Sequence, residues 1–250
     1  MTIINEWAHF CNDLATKEIR SSKPNTKTFN GLIFSFTNFD DSFDLKTFGY
    51  KPESPKKMSQ MMMHYFNTES VEAAKKEYKK ILLKDGTGSV GVSCRGYRTG
   101  DKRQDFCIQG LTISKLYTGK TRIDIFHRNT ELIKKFGADL VFFRDKLMPN
   151  FDQLPIDSVN FYCANANINA MFYPLIIPYL DNWKLRLNSI RLGDKKFYRQ
   201  ILRWSLRYVN GEGDNYRFIK RVQDSLPRVM GKSLYKDFSN HIKELSNEAL

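Results

Sequence analysis

GKTRIDIFHRNTELIKKFGADLVFFRDKLM, from Gly119 to Met148, carries a strand and then a helix. Thr121 to Phe126 reads as the strand, joined back through the turn Thr118-Gly119-Lys120 to a second strand, Phe106 to Lys115. Thr130 to Met148 reads as the helix, stopped by Pro149-Asn150. Downstream, Ser158 to Cys163 is a further strand, and Asn165, Asn167 and Asn169 alternate in NANIN. Residues 170 to 209 are mostly helical in pattern. Upstream, Ser89 to Cys94 is a buried strand, followed by a polar loop from Gly96 to Arg103. Ser70 to Lys84 is a helix with Ser70 as N-cap, Glu72 four residues before Lys76, and Gly86 just past its end. Met58 to Phe66 reads as a buried helix, Leu32 to Asn38 as a strand with Phe43 to Phe48 as its partner, and SSKPNTKTFNG as a turn-rich loop. Ile3 to Ile19 is an amphipathic helix with Ile3, Trp7, Phe10, Cys11 and Leu14 on one face. Strands and helices mix without a regular βαβ rhythm. The expected fold is therefore α+β, a mixed sheet packed with helices in one domain over residues 1–250, with residues 170–250 mainly helical and basic.

Composition narrows the class. The 250 residues are 41% apolar and 27% charged, an ordinary globular balance, with 14% aromatic. The four cysteines form no CxxC pair and are too sparse for a disulfide framework, so no metal is expected and a reducing, cytoplasmic setting is. The first residues do not read as a signal peptide. The apolar stretch from Ala170 to Leu180 is too short and too proline-interrupted to span a bilayer, so no membrane partner is expected. Net charge is +13, and Trp183 to Lys232 holds 13 Lys and Arg against 4 Asp and Glu. That clustering points to an anionic partner, a nucleotide or a nucleic acid. Lys195, Arg199, Arg203 and Arg207 recur every four residues, a cationic stripe if the segment is helical. Like charges at this spacing repel, and an anion would relieve that cost.

The order of these segments resembles the thymidylate synthase superfamily, which includes the deoxycytidylate hydroxymethylases. Gly119 to Met148 is similar to that family's unit of Gly-Lys, a strand ending Gln-Arg-Ser, and a helix. The resemblance implies that Arg128 clamps the substrate phosphate, that Asn129 stands beside it, and that Asp139 reads the pyrimidine. A carboxylate suits the amino group of cytosine, because cytosine and uracil exchange donor and acceptor at N3 and C4. Cys107, in DKRQDFCIQG, falls within about a residue of the family's nucleophile, and Asn167 and Asn169 stand in the segment that resembles the one binding the sugar hydroxyl. The resemblance further implies methylenetetrahydrofolate as cofactor, a homodimer packed through one sheet face, and one-carbon transfer to C5 of a pyrimidine nucleotide, tilted to cytosine.

The departures from the family define an alternative. No acid lies between Glu53 and Glu69, where the core helix should carry a catalytic Glu. Thr87-Gly88-Ser89 stand where paired arginines are expected, and Phe106 precedes Cys107 where the family has Pro. The folate-closing tail is not recognisable in NHIKELSNEAL. The alternative is a nucleotide- or nucleic-acid-binding protein on the same scaffold that has lost the chemistry. Individual residues also carry two readings. Cys107 is a thiolate nucleophile or a small buried apolar side chain. Arg128 is a phosphate clamp, helped by the N-terminus of the next helix, or a surface residue at a strand end. His127 relays protons or is structural, and the Asn165, Asn167 and Asn169 series binds a sugar or makes turns.

Overall fold

The computed structural model describes residues 3–17, 25–36, 68–93, 97–99, 102–104, 108–151, 153–212 and 216–249. Helix α1 (Ile3–Thr16) leads into β1 (Thr26–Phe36). Helix α2 (Thr68–Leu82) precedes β2 (Gly88–Ser93), the short hairpin β3 (Tyr97–Thr99) and β4 (Lys102–Gln104), then β5 (Ile108–Lys115) and β6 (Thr121–Glu131). Helix α3 (Lys134–Phe142) continues through a π-turn (Phe143–Leu147) and a 3-10 turn (Met148–Asn150) into β7 (Ile156–Asn169). Two 3-10 turns lead to α4 (Trp183–Gly193), α5 (Lys195–Asn210), α6 (Tyr216–Met230) and α7 (Lys232–Ala249). The fold is α+β, a five-stranded mixed sheet in the order β1-β7-β6-β5-β2 packed against helices. All neighbouring pairs are antiparallel except β6 and β7, which run parallel and are joined through α3.

Several boundaries differ from those the sequence suggests. Strand β1 begins at Thr26, so the segment TKTFNG belongs to the sheet; its Asn30-Gly31 pair, a turn signal in isolation, sits inside the strand. The polar segment after Gly96 contains the β3–β4 hairpin. Strand β6 continues to Glu131, because Asn129, Thr130 and Glu131 pair with Asn165, Ala166 and Asn167, and the helix expected from Thr130 starts at Lys134. Strand β7 runs unbroken through NANIN. The readings placed on Phe43 to Phe48 and Met58 to Phe66 lie outside the described residues.

One face of the sheet buries an aromatic core. Phe34 stacks on Phe161 at 5.3 Å and meets Phe136 of α3 edge-on at 5.0 Å, and Phe136 meets Phe161 at 4.8 Å. Each ring removed from water contributes about 1.5–3 kcal/mol, with a further increment for edge-to-face geometry. Tyr78 of α2 is fully buried against Phe151 and bonds the Thr121 hydroxyl. Trp7, Ala8, Cys11 and Ala15 bury the inner stripe of α1.

Two lysines tie helix ends to strands. The carbonyls in the last turn of a helix lack intrahelical donors and carry partial negative charge. Lys115 of β5 donates to the carbonyls of Leu82 and Lys84 at the end of α2. Lys27 of β1, only 1% exposed, donates to the carbonyl of Ala15 at 2.8 Å and to that of Lys17. Its ammonium also lies 3.1 Å from Asp194 and over the ring of Phe197. Asp194 is the N-cap of α5, accepting from the Phe197 amide at 3.0 Å, and these contacts hold its carboxyl below the usual range against the opposing effect of burial. One buried ammonium therefore joins the end of α1, the edge strand and the start of α5. Lys27→Met keeps the bulk but strands Asp194 and two carbonyls; urea denaturation should show a loss of about 3–5 kcal/mol, and a loss under about 1 kcal/mol would contradict this assignment.

Candidate functional site

Alternation along a strand sends successive side chains to opposite faces. In β6, Ile123, Ile125 and His127 point into the core, while Arg122, Phe126 and Arg128 point away. The pattern then slips: Arg128 and Asn129 are both exposed, and Thr130 is buried. Strand β7 slips at the paired level, with Ala164 and Asn165 both exposed, and so does β1, with Asn30 and Gly31. Each strand breaks its in-out alternation at the same line, and the pairing register between the strands is unchanged across it. Gly31 adopts φ +66°, a left-handed conformation that glycine takes without cost. In β5 the slip falls at Gln109-Gly110, where the pairing with β6 shifts.

The bent line opens a cleft of about 460 Å³ on the face away from the aromatic core. Leu32, Ile33, Gln109, Phe126, Arg128 and Tyr162 are among the residues lining it. Phe126 and Tyr162 stack at 5.1 Å with planes 18° apart, and Phe126 is 42% exposed. The Tyr162 hydroxyl donates to Asp124, which also accepts from Asn160 at 2.7 Å and from Arg122 at 3.0 Å. Asp124 is thus engaged by Arg122, Asn160 and Tyr162. Beyond the bend, the Thr28 hydroxyl donates to Asn167 Oδ1 at 2.9 Å, and Asn167 Nδ2 donates to Asn129 Oδ1 at 3.0 Å.

The sheet brings some of the expected site residues together and separates others. Arg128, Asn129 and Asn167 share the outward face around the bend. Asn169 is engaged elsewhere, where its Oδ1 accepts from the Met171 amide in a turn. Asp139 lies behind the sheet on α3, 3.9 Å from Nδ1 of the fully buried His127, while Arg128, the next residue along β6, points to the opposite face. His127 packs among Phe136, Phe143 and Phe161, and neither ring nitrogen has a hydrogen-bond partner. At the start of α3 the Glu131 carboxylate already accepts from the amides of Lys134 at 2.6 Å and Ile133 at 3.3 Å, and it also accepts from the Asn169 amide of β7 at 3.4 Å. Cys107 lies outside the described residues. Cys11 and Cys163 are buried, and burial pushes the Cys163 thiol up to about 12, with Asp139 adding to the shift.

Lys195, Arg199, Arg203 and Arg207 do fall on one helix, α5. The first three are exposed, and Arg207 lies 4.8 Å over the ring of Trp204. The opposite side of α5 buries Phe197, Ile201, Ser205 and Tyr208. Among the described residues no carboxylate pairs with the four cations. Asp194, at the head of the helix, is taken by Lys27. Among the described residues there is no group of three or more His, Cys, Asp or Glu side chains suited to a metal, and no helix long and apolar enough to cross a membrane.

Compared with models of protein families and with curated proteins, the chain matches none.

The buried ionisable groups behind the sheet have a measurable consequence. Burial raises the Asp139 carboxyl to about 8, with Lys135 opposing, and lowers the His127 imidazole to about 4. An unfolded Asp ionises near pH 4, so from there to about pH 8 the folded protein keeps a proton that the unfolded chain has lost. Rising pH therefore removes stability across that window, and the loss is complete above it. Asp139→Asn cannot ionise. Its stability relative to wild type should rise from pH 4 to pH 8.5 by on the order of 2 kcal/mol, read from urea curves at stepped pH. Parallel stability profiles would contradict the burial of Asp139.

Proposed function

We propose that the protein binds nucleotides and nucleic acid on the bent, outward face of its sheet. One observation carries this reading: Arg128 and Asn129 stand side by side at a cleft floored by the Phe126–Tyr162 stack. Aromatic faces accept bases of any sequence, and a guanidinium fits a phosphate bidentately. The net charge of +13 and the cationic ridge of α5 support an anionic partner of the same class. One-carbon transfer would need Arg128 and Asp139 to meet the two ends of one nucleotide, and the sheet stands between them. We therefore favour binding without that chemistry. A face-to-face dimer through this surface would cover Ile33 and Phe126 and close the cleft, so the two uses of the face exclude each other.

Calorimetric titration with cytidine, uridine and thymidine monophosphates tests the cleft. Arg128→Ala should weaken all three by about 10- to 100-fold, because the clamp reads no base. Phe126→Ala should cost about 1–3 kcal/mol of binding through lost stacking. If wild type binds none of the three, or both variants bind as wild type does, this function fails. Asp139→Asn separates the readings. A reader of the base would shift preference from cytosine to uracil, whereas a residue behind the sheet would not.

The ridge on α5 is the proposed contact for a longer phosphate backbone. Affinity for a long oligothymidylate should fall with salt with a slope of about 0.7 per phosphate neutralised. Arg199→Glu with Arg203→Glu should weaken that binding and flatten the slope by about 1 to 2, and an unchanged slope would remove the ridge from the interface.

A further inference from the structure

We infer that the outward face around the cleft is built for a short run of single-stranded nucleic acid, about three nucleotides, with one mononucleotide filling only part of it. This rests on the nucleotide-binding reading and extends it. The outward surface does not end at Arg128. From Tyr162 to Asn167 along β7 the strand advances roughly 16 Å at about 3.3 Å per residue. Over that length three kinds of group succeed one another: the Phe126–Tyr162 stack, then Arg128 at the bend, then Asn129 joined to Asn167 and Thr28. A base on the stack with its phosphate at Arg128 leaves the asparagines for the next nucleotides of the strand. The shared break in alternation makes this continuity possible, because it leaves Arg128 and Asn129 both exposed on the same side of the sheet.

The asparagines add hydrogen-bonding capacity for the next bases. Asn167 Oδ1 accepts from the Thr28 hydroxyl, and Asn129 Oδ1 from Asn167 Nδ2. Each carbonyl oxygen keeps a second lone pair and the amide groups keep N–H donors, so the pair can both donate and accept. The chemistry that fits is therefore a single strand of any base, held by stacking at one end and by side-chain amides at the other.

Calorimetry of the full chain at fixed low salt, with thymidine monophosphate and the thymidine di-, tri- and hexanucleotide, tests the inference. Each step to the trinucleotide should tighten binding by about tenfold, and the hexanucleotide should add little more. Asn129→Ala, at an exposed position, should cut the advantage of the trinucleotide over the monophosphate by about tenfold. Equal affinity for monophosphate and trinucleotide overturns the inference and leaves the nucleotide-binding function standing. So does an affinity that climbs evenly to the hexanucleotide in both wild type and Asn129→Ala. Failure of every ligand to bind removes the function as well.

Discussion

A β-strand shows successive side chains to opposite faces, and three neighbouring strands here set that alternation aside at one shared line. A bulge in a single strand would have shifted its pairing with both neighbours and turned part of its apolar set toward solvent. Because β1, β7 and β6 each break their alternation at the same level, the ladder stays in register and only the sheet bends. The core side is then served by two residue series, Phe34, Phe161 and His127 before the bend and Phe29, Ala166 and Thr130 after it. The outward side receives three adjacent pairs, Asn30-Gly31, Ala164-Asn165 and Arg128-Asn129. The cleft and the pairing of a cation with an amide stem from that line, whereas the separation of Asp139 from Arg128 follows from the ordinary alternation of His127 and Arg128 just before it.

The bent sheet is held by ties between its strands and the ends of the helices. Lys27 lies on the core side just past the bend, where an unpaired ammonium would be very costly. Two helix-end carbonyls and the capping carboxylate of α5 compensate it. Glu131 plays the complementary part on β6. Its carboxylate takes the amides at the start of α3, and although those bonds pull its pKa down, burial still raises it to about 7. A cation thus closes the end of one helix and a carboxylate opens another, each from a strand. The Ile133 and Lys134 amides are thereby spent on the fold.

How much of this is legible in the chain depends on whether local pattern or pairing decides. The helices α1 and α2 and the strands β2 and β5 are readable, because their apolar periodicity and caps are local. The α+β class comes from their order. The bend is not readable, because Asn30-Gly31 and Arg128-Asn129 look like a turn and a strand end in isolation and become a shared break in strand alternation only when β7 lies between them. For the same reason the end of β6, up to Glu131, has the look of a helix start until its partner strand is known. The cationic stripe is legible, since a four-residue period needs only a helix. Phe126 does not stand out as a site residue in the chain, although it leaves a signal there. An aromatic at even spacing between Asp124 and Arg128 stands on the polar face of its strand.

Among the described residues strand β1 pairs only with β7, so Thr26 must find Asn169 across most of the intervening chain. Loop-closure entropy must be met before that pairing returns anything, and contacts of such long range slow folding. During synthesis, β2, β5 and β6 can assemble as an antiparallel unit from neighbouring segments, but β1 waits until β7 has emerged. Until then β6 lacks β7 and β1 lacks the one partner it has among the described residues, and such strands are templates for association with other chains. The arrangement that makes the finished sheet bend as one piece therefore leaves the nascent chain with its most exposed interval late in translation.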